Sequence, residues 1–169
     1  TAARLEITSN ETIGMLAGGS TVHGLTTIGS NTLTVNQTRP YSLFNGALDG
    51  TGTFVKAGPG AMTFANAAPA SALQNNFAGK YVISGGILSF RNDADALTGL
   101  GSRIGAVPAS LVQDYFTLAG GSLSNNSLGG YAMNANRGIT VVADSGIRVI
   151  GTTASALVLS APIVGASGV

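Results

Sequence analysis

Along most of the chain, apolar residues alternate with threonine, serine or another small residue. Thr32-Leu33-Thr34-Val35, Met62-Thr63-Phe64, Phe116-Thr117-Leu118, Ile139-Thr140-Val141, Ile147-Arg148-Val149 and Leu157-Val158-Leu159 share this period of two, which places the apolar set on one face of an extended strand. Gly, Asn, Asp or Pro closes each run, supplying positive φ or a fixed turn. The pattern predicts many short, half-buried strands and almost no helix. One stretch, 92–115, departs from it. Within it Asn92–Leu97 and Pro108–Asp114 each have the makings of a turn or two of helix, the first capped by Asn92 or Asp93 and the second started by Pro108.

Internal repetition accompanies the alternation. Gly18-Gly19-Ser20-Thr21-Val22, Gly85-Gly86-Ile87-Leu88-Ser89 and Gly120-Gly121-Ser122-Leu123-Ser124 are three versions of a diglycine turn feeding a short strand. A longer match aligns Leu43–Gly50 with Val158–Gly165 and carries on to pair Phe54 with Val169. Short strands and tight turns without covering helices leave sandwiches, barrels, propellers and β-solenoids. A sandwich needs longer strands and larger side chains to fill the space between its sheets, whereas aromatic residues make up only 6% of this chain and Trp is absent. A parallel β-helix is narrower. Stacked Leu, Val, Ile and Phe fill it, Gly and Asn turn its corners, and Thr and Ser suit its outside. One β-solenoid segment over 1–169, belonging to a longer repeat protein, is the expected organisation.

Composition narrows the functional classes. Charged residues are 9% of the 169 and the net charge is +1, so no field exists to gather phosphates or an anionic membrane. The eight basic residues are scattered, with no Lys/Arg run and no aromatic interleaving, which argues against nucleic acid as a partner. Cysteine is absent, which removes disulfides, thiolate chemistry and cysteine zinc sites. No run approaches the roughly 18 apolar residues that span a bilayer, so direct membrane insertion of this segment is not expected.

The stretch Asn45–Phe64, NGALDGTGTFVKAGPGAMTF, followed by Phe77–Phe90, FAGKYVISGGILSF, resembles the autotransporter-associated β-strand repeat of bacterial passenger domains. That repeat has the form S-G-x-G-x-L-x-K-x-G-x-G-x-L-x-L and then, after a variable loop, Y-x-G-x-T-x-V-x-x-G-x-L. Gly50, Gly52, Phe54, Lys56, Gly58, Gly60, Met62 and Phe64 fill the first half, and Gly79, Val82, Gly85, Gly86 and Leu88 the second. Phe77 stands where Tyr is common, and the insertion at 92–115 is long. The resemblance implies a right-handed parallel β-helix in a secreted or surface-displayed bacterial protein, outer-membrane associated. At roughly 20 residues per coil the chain would make about 7–8 coils and a rod roughly 35–40 Å long. Phe54–Lys56 and Met62–Phe64 would then be two sides of one coil, with Gly58-Pro59-Gly60 as the corner.

Candidate chemistry is sparse. His23, the single histidine, has no carboxylate or nucleophile pattern beside it, and no serine sits in a Gly-x-Ser-x-Gly elbow. Asn92-Asp93-Ala94-Asp95 invites a calcium reading but lacks the glycine and distal Glu of an EF-hand loop. Asp49, Asp114 and Asp144 are far apart in sequence, Lys56 and Lys80 are expected at solvated outer positions about one coil apart, and Thr32, Thr34, Thr51, Thr53 and Thr63 do not by themselves establish a flat array. Asn10, Asn36 and Asn125 begin Asn-x-Ser/Thr triplets, a weak acceptor pattern. No catalytic, cofactor-binding or metal-ligating residue is assigned, and a non-enzymatic stalk, spacer or fibre body is expected. Its partners would be adjoining repeats of the same chain or head-to-tail copies of itself. The rival reading is an adhesin that binds glycans or host surfaces through the excursion at 92–115.

Overall fold

A computed structural model describes residues 3–19, 24–65, 75–91, 103–125, 131–149 and 156–165. These residues form an all-β, parallel β-solenoid, wound as seven successive coils. Coil 1 carries β1 (Arg4–Glu6) and β2 (Glu11–Ile13); coil 2 carries β3 (Leu25–Gly29), β4 (Thr32–Asn36) and β5 (Tyr41–Phe44); coil 3 carries β6 (Ala47–Gly50), β7 (Thr53–Ala57) and β8 (Ala61–Phe64). Coil 4 carries β9 (Lys80–Ile83) and β10 (Ile87–Phe90), and coil 5 carries β11 (Val112–Leu118) and β12 (Ser122–Asn125). Coil 6 carries β13 (Tyr131–Met133), β14 (Arg137–Val141) and β15 (Gly146–Val149), and coil 7 carries β16 (Leu157–Leu159) and β17 (Ile163–Gly165). Among the described residues there is no helix.

Stacking the coils builds three faces. The second face is a seven-stranded sheet in the order β17-β14-β11-β9-β7-β4-β2, and the third is five-stranded, β15-β12-β10-β8-β5. The first face begins as β1-β3-β6 and ends as β13-β16. Between those parts the irregular stretches 75–78 and 103–106 keep the stack bonded: Asn76 and Ala78 donate to Leu48 and Gly50, and Ala106 donates to Phe77. With neighbouring parallel strands about 4.8 Å apart, seven strands span about 29 Å along the axis. Along the second face coil length varies, from 21 residues between Leu33 and its register partner Phe54 to 35 between Tyr81 and Phe116.

Because side chains alternate and the register is parallel, each inward position becomes a column. Leu33, Phe54, Tyr81, Phe116 and Ile139 form one and Ser42, Met62, Leu88 and Leu123 another, all buried. Phe44, Phe64 and Phe90 form a third, with edge-on contact at 5.6 Å and stacked contact at 5.2 Å. Removing these rings from water is the main favourable term, roughly 1.5–3 kcal/mol for each fully buried side chain.

The corner between β7 and β8 is Gly58-Pro59-Gly60, as expected. Gly58 has φ +72°, and a Cβ on Gly60 would overlap the Arg39 carbonyl oxygen of the coil beneath, so neither position accommodates a larger residue without strain. The diglycines Gly85-Gly86 and Gly120-Gly121 lie at the same corner one and two coils on, since Ile87 pairs with Ser122. Gly18-Gly19 belongs to a different corner, bridging Phe44 at the end of the third face.

Two local expectations fail. Pro108–Asp114 is not helical: 108–111 run as bends and loop, and Val112–Asp114 open the strand β11. Asn136 Nδ2 donates to the Pro108 carbonyl and Val112 N to the Asn136 carbonyl, so pairing with coil 6 outcompetes the local helix signal. The match of Leu43–Gly50 with Val158–Gly165 is also not a structural equivalence. Leu43 lies on the third face but Val158 on the first, and Leu48 lies on the first face but Ile163 on the second. The first helix expected, Asn92–Leu97, and Val169 lie outside the described residues.

Candidate functional site

Among the described residues, several polar side chains are buried inside the solenoid. Lys56, expected at an outer position, is fully buried. It stands in an inward column between Val35 and Ile83, and its Nζ donates to the carbonyl oxygens of Ala57 (2.7 Å), Gly58 (3.0 Å) and Gly85 (3.2 Å). An ammonium has three donors, and here each meets a carbonyl of the glycine corners of coils 3 and 4. Burial lowers its pKa from 10.5 to about 8, since desolvation disfavours the charged form.

One coil earlier Gln37 fills the same corner. It is fully buried, and its Nε2 donates to the Ala61 carbonyl at 2.8 Å while its Oε1 accepts from Ser42 Oγ at 2.6 Å. Both side chains give their donors to backbone carbonyls at the sharp corner, which is what a buried polar group must do to be tolerated.

A second internal cluster holds the later half of the 92–115 excursion. Ile104 is buried in the core, and the Tyr81 hydroxyl donates to its carbonyl, with the Tyr115 hydroxyl at 3.4 Å. Arg137, fully buried, donates from Nη2 to Gly105 (2.7 Å) and from Nη1 to Ala106 (3.2 Å), with its guanidinium carbon 4.7 Å from the Tyr115 ring centre. Residues 103–108 therefore rebuild the missing first-face strand of coil 5. They do not project.

Asp49, Asp114 and Asp144 do not converge. Asp49 is on the first face and accepts from the amide of Gly50. Asp114, at the start of β11 on the second face, pairs at 2.7 Å with Lys80, both side chains about half exposed. That hydrogen bond holds the Asp114 carboxyl below its usual range. Asp144 is exposed at the turn after β14. Lys80 does not stack on Lys56; its register partner is Thr53. Among the described residues no three of His, Cys, Asp and Glu cluster to hold a metal ion. His23 and Asn92–Asp95 lie outside the described residues.

The threonines singled out in the sequence fall on different surfaces. Thr32 and Thr53 are register partners on the second face, Thr51 is at a corner, and Thr63 is buried on the third face. The structure instead aligns Thr12, Thr34, Val55, Val82, Thr117, Thr140 and Val164 as one outward column of seven β-branched residues. Of the three triplet asparagines, Asn10 accepts from the Thr32 amide, Asn36 is exposed, and Asn125 is buried below Phe90 in the third-face column.

No family profile, no curated protein and no solved structure matches this chain.

Proposed function

We propose that this chain is a non-catalytic, rod-like segment of a secreted or cell-surface bacterial protein, serving as a stalk, spacer or fibre body of the kind built from autotransporter-associated β-strand repeats. The observation that carries the reading is the continuity of the interior columns through successive coils, which makes length the quantity that adding coils changes. The motif supports it residue by residue. Phe54, Met62 and Phe64 fill the columns, Gly58 and Gly60 turn the corner, and Lys56, just before it, bonds the corner's carbonyls.

Adhesion through 92–115 has less to stand on, since residues 103–108 are bound into the coil by Arg137, Asn136 and Tyr81. Duplicating one coil, residues 33–53, tests the rod directly. The maximum dimension in small-angle scattering should rise by about 4.8 Å per added coil with the cross-section unchanged; no lengthening overturns the reading. Specific retention on a glycan surface, lost when 92–102 is deleted, would replace the spacer by an adhesin.

A further inference from the structure

We infer that the outward surface of the second face recognises itself: its partner is the same face of a second copy of this chain, the two laid side by side about a twofold axis parallel to the solenoid axis. The inference goes beyond the stalk reading and does not depend on it.

The surface belongs to the middle of the fold. Across coils 2–6 its central column is Thr34, Val55, Val82, Thr117 and Thr140, all half-buried. Thr32 and Thr53 flank it on one side. On the other side Asn36 and Ala57 are followed by Ser84, Ala119 and Val142, whose amides donate to Lys56, Ile83 and Leu118 of the coil before. Lys80 and Asp114 are the charged side chains it presents, and at 2.7 Å they neutralise one another. The rings of these strands, Phe54, Tyr81, Tyr115 and Phe116, are buried inside.

These properties select the partner. A face without net charge gathers neither phosphates nor anionic lipid headgroups, and without outward rings it has no platform for a base to stack on. Its strand amides and carbonyls are engaged by the neighbouring coils, so an extended peptide cannot add to it as a strand. What fits is another flat, uncharged, β-branched surface, and contacts stay in step from coil to coil only if that surface shares the repeat of about 4.8 Å. The same face of a second copy has that repeat by construction. The twofold axis sets each residue of the central column against itself. Threonine hydroxyls then donate to and accept from one another and valine meets valine, so no hydroxyl is buried against a methyl. Lys80 of one copy lies toward the Ser84 side of the other, away from its own mate. Five strands about 4.8 Å apart and three columns about 6.6 Å apart cover, with side-chain width, roughly 480 Å² per copy and about 1,000 Å² in all, the low end for a specific contact. The association is therefore weak, and because it is isologous it closes at two.

Sedimentation equilibrium of the 169-residue chain from micromolar to millimolar concentration tests this. A monomer-dimer equilibrium is expected. Val82→Lys, at an outward position that leaves the fold intact by circular dichroism, should weaken it about tenfold or more, equivalent to at least roughly 1.4 kcal/mol. The chain has no cysteine, so Thr117→Cys gives an independent reading: under mild oxidation it should cross-link to its twofold mate about tenfold faster than Asn76→Cys, an exposed position on the first face. A wild type that stays monomeric, a Val82→Lys variant that associates like wild type, growth beyond the dimer, or equal cross-linking of the two cysteine variants would each overturn the inference. So would a monomer that facets ice crystals, which would assign the face to a water lattice. A monomer that still lengthens on coil duplication would remove the pairing and leave the rod.

Discussion

Replacing Lys56 with methionine keeps the approximate length of the side chain and removes its charge and donors. Two terms oppose one another. The Gly58 and Gly85 carbonyls lose the side-chain donor that meets them, while Ala57 keeps the Gln37 amide at 3.0 Å. An unsatisfied buried acceptor costs about 1–3 kcal/mol, so two cost roughly 2–6 kcal/mol. Against this, the ammonium is itself penalised. Its pKa is lowered from 10.5 to about 8 by burial, and at about 1.4 kcal/mol per pH unit that is roughly 3 kcal/mol relative to the neutral amine.

The sign follows from proton counts. Below pH 8 both folded and unfolded chains hold the proton, and the penalty is fully present. Between about 8 and 10.5 the unfolded chain binds more protons than the folded one, so stability rises with pH. Above 10.5 nothing further changes. The Lys56→Met variant lacks this contribution. It should lie between about 1 kcal/mol above and about 3 kcal/mol below wild type at about pH 7, and fall about 3 kcal/mol further behind by about pH 10.5. Urea unfolding followed by far-ultraviolet circular dichroism at intervals from about pH 7 to 10.5 measures the difference, which cancels the other titrating groups. A difference that stays constant or shrinks through that window would refute the argument, because it would mean the three carbonyls favour the ammonium over water.

Arg137→Met should release residues 103–106 from the solenoid, because it removes the bonds to Gly105 and Ala106; a stability loss of about 3 kcal/mol is expected, with faster hydrogen exchange at the Ala106 amide. Lys80→Ala breaks an ion pair of the same 2.7 Å length as the Lys56–Ala57 bond, but a half-exposed one, so urea unfolding should shift by less than about 1 kcal/mol.

The interior lysine was legible from phase and obscured by identity. Lys56 follows Phe54 by two residues, Gln37 follows Val35, Asn125 follows Leu123 and Arg137 precedes Ile139. In each case strict alternation puts the polar residue on the buried side, and the structure buries all four. For Lys56, Gln37 and Arg137 hydrophilicity argued the other way and lost, because backbone carbonyls meet their polar ends inside the solenoid. Register was not legible. Coil lengths change with each insertion, so the outward Thr/Val column and the partners of Lys80 emerge only when the strands are paired. The short helix at 108–114 was a local preference overruled by non-local pairing with coil 6, the usual way such signals fail.

The rings are unevenly distributed along the axis, and this has a dynamic consequence. Among the described residues, the eight in aromatic contact, Phe44, Phe54, Phe64, Phe77, Tyr81, Phe90, Tyr115 and Phe116, belong to coils 2–5. None of these contacts involves coils 1, 6 or 7, and several aliphatic side chains of those coils are exposed: Leu5, Ile147, Val149 and Ile163. In a solenoid, stability is close to a sum of coil terms and nearest-neighbour interfaces. The ends should therefore open without the middle. Amide exchange should be slowest in β7–β11 and fastest in β1, β2 and β15–β17, with protection falling coil by coil toward each end. Uniform protection from β2 to β17 would show one cooperative unit, and the coil-additive description of this rod would have to be abandoned.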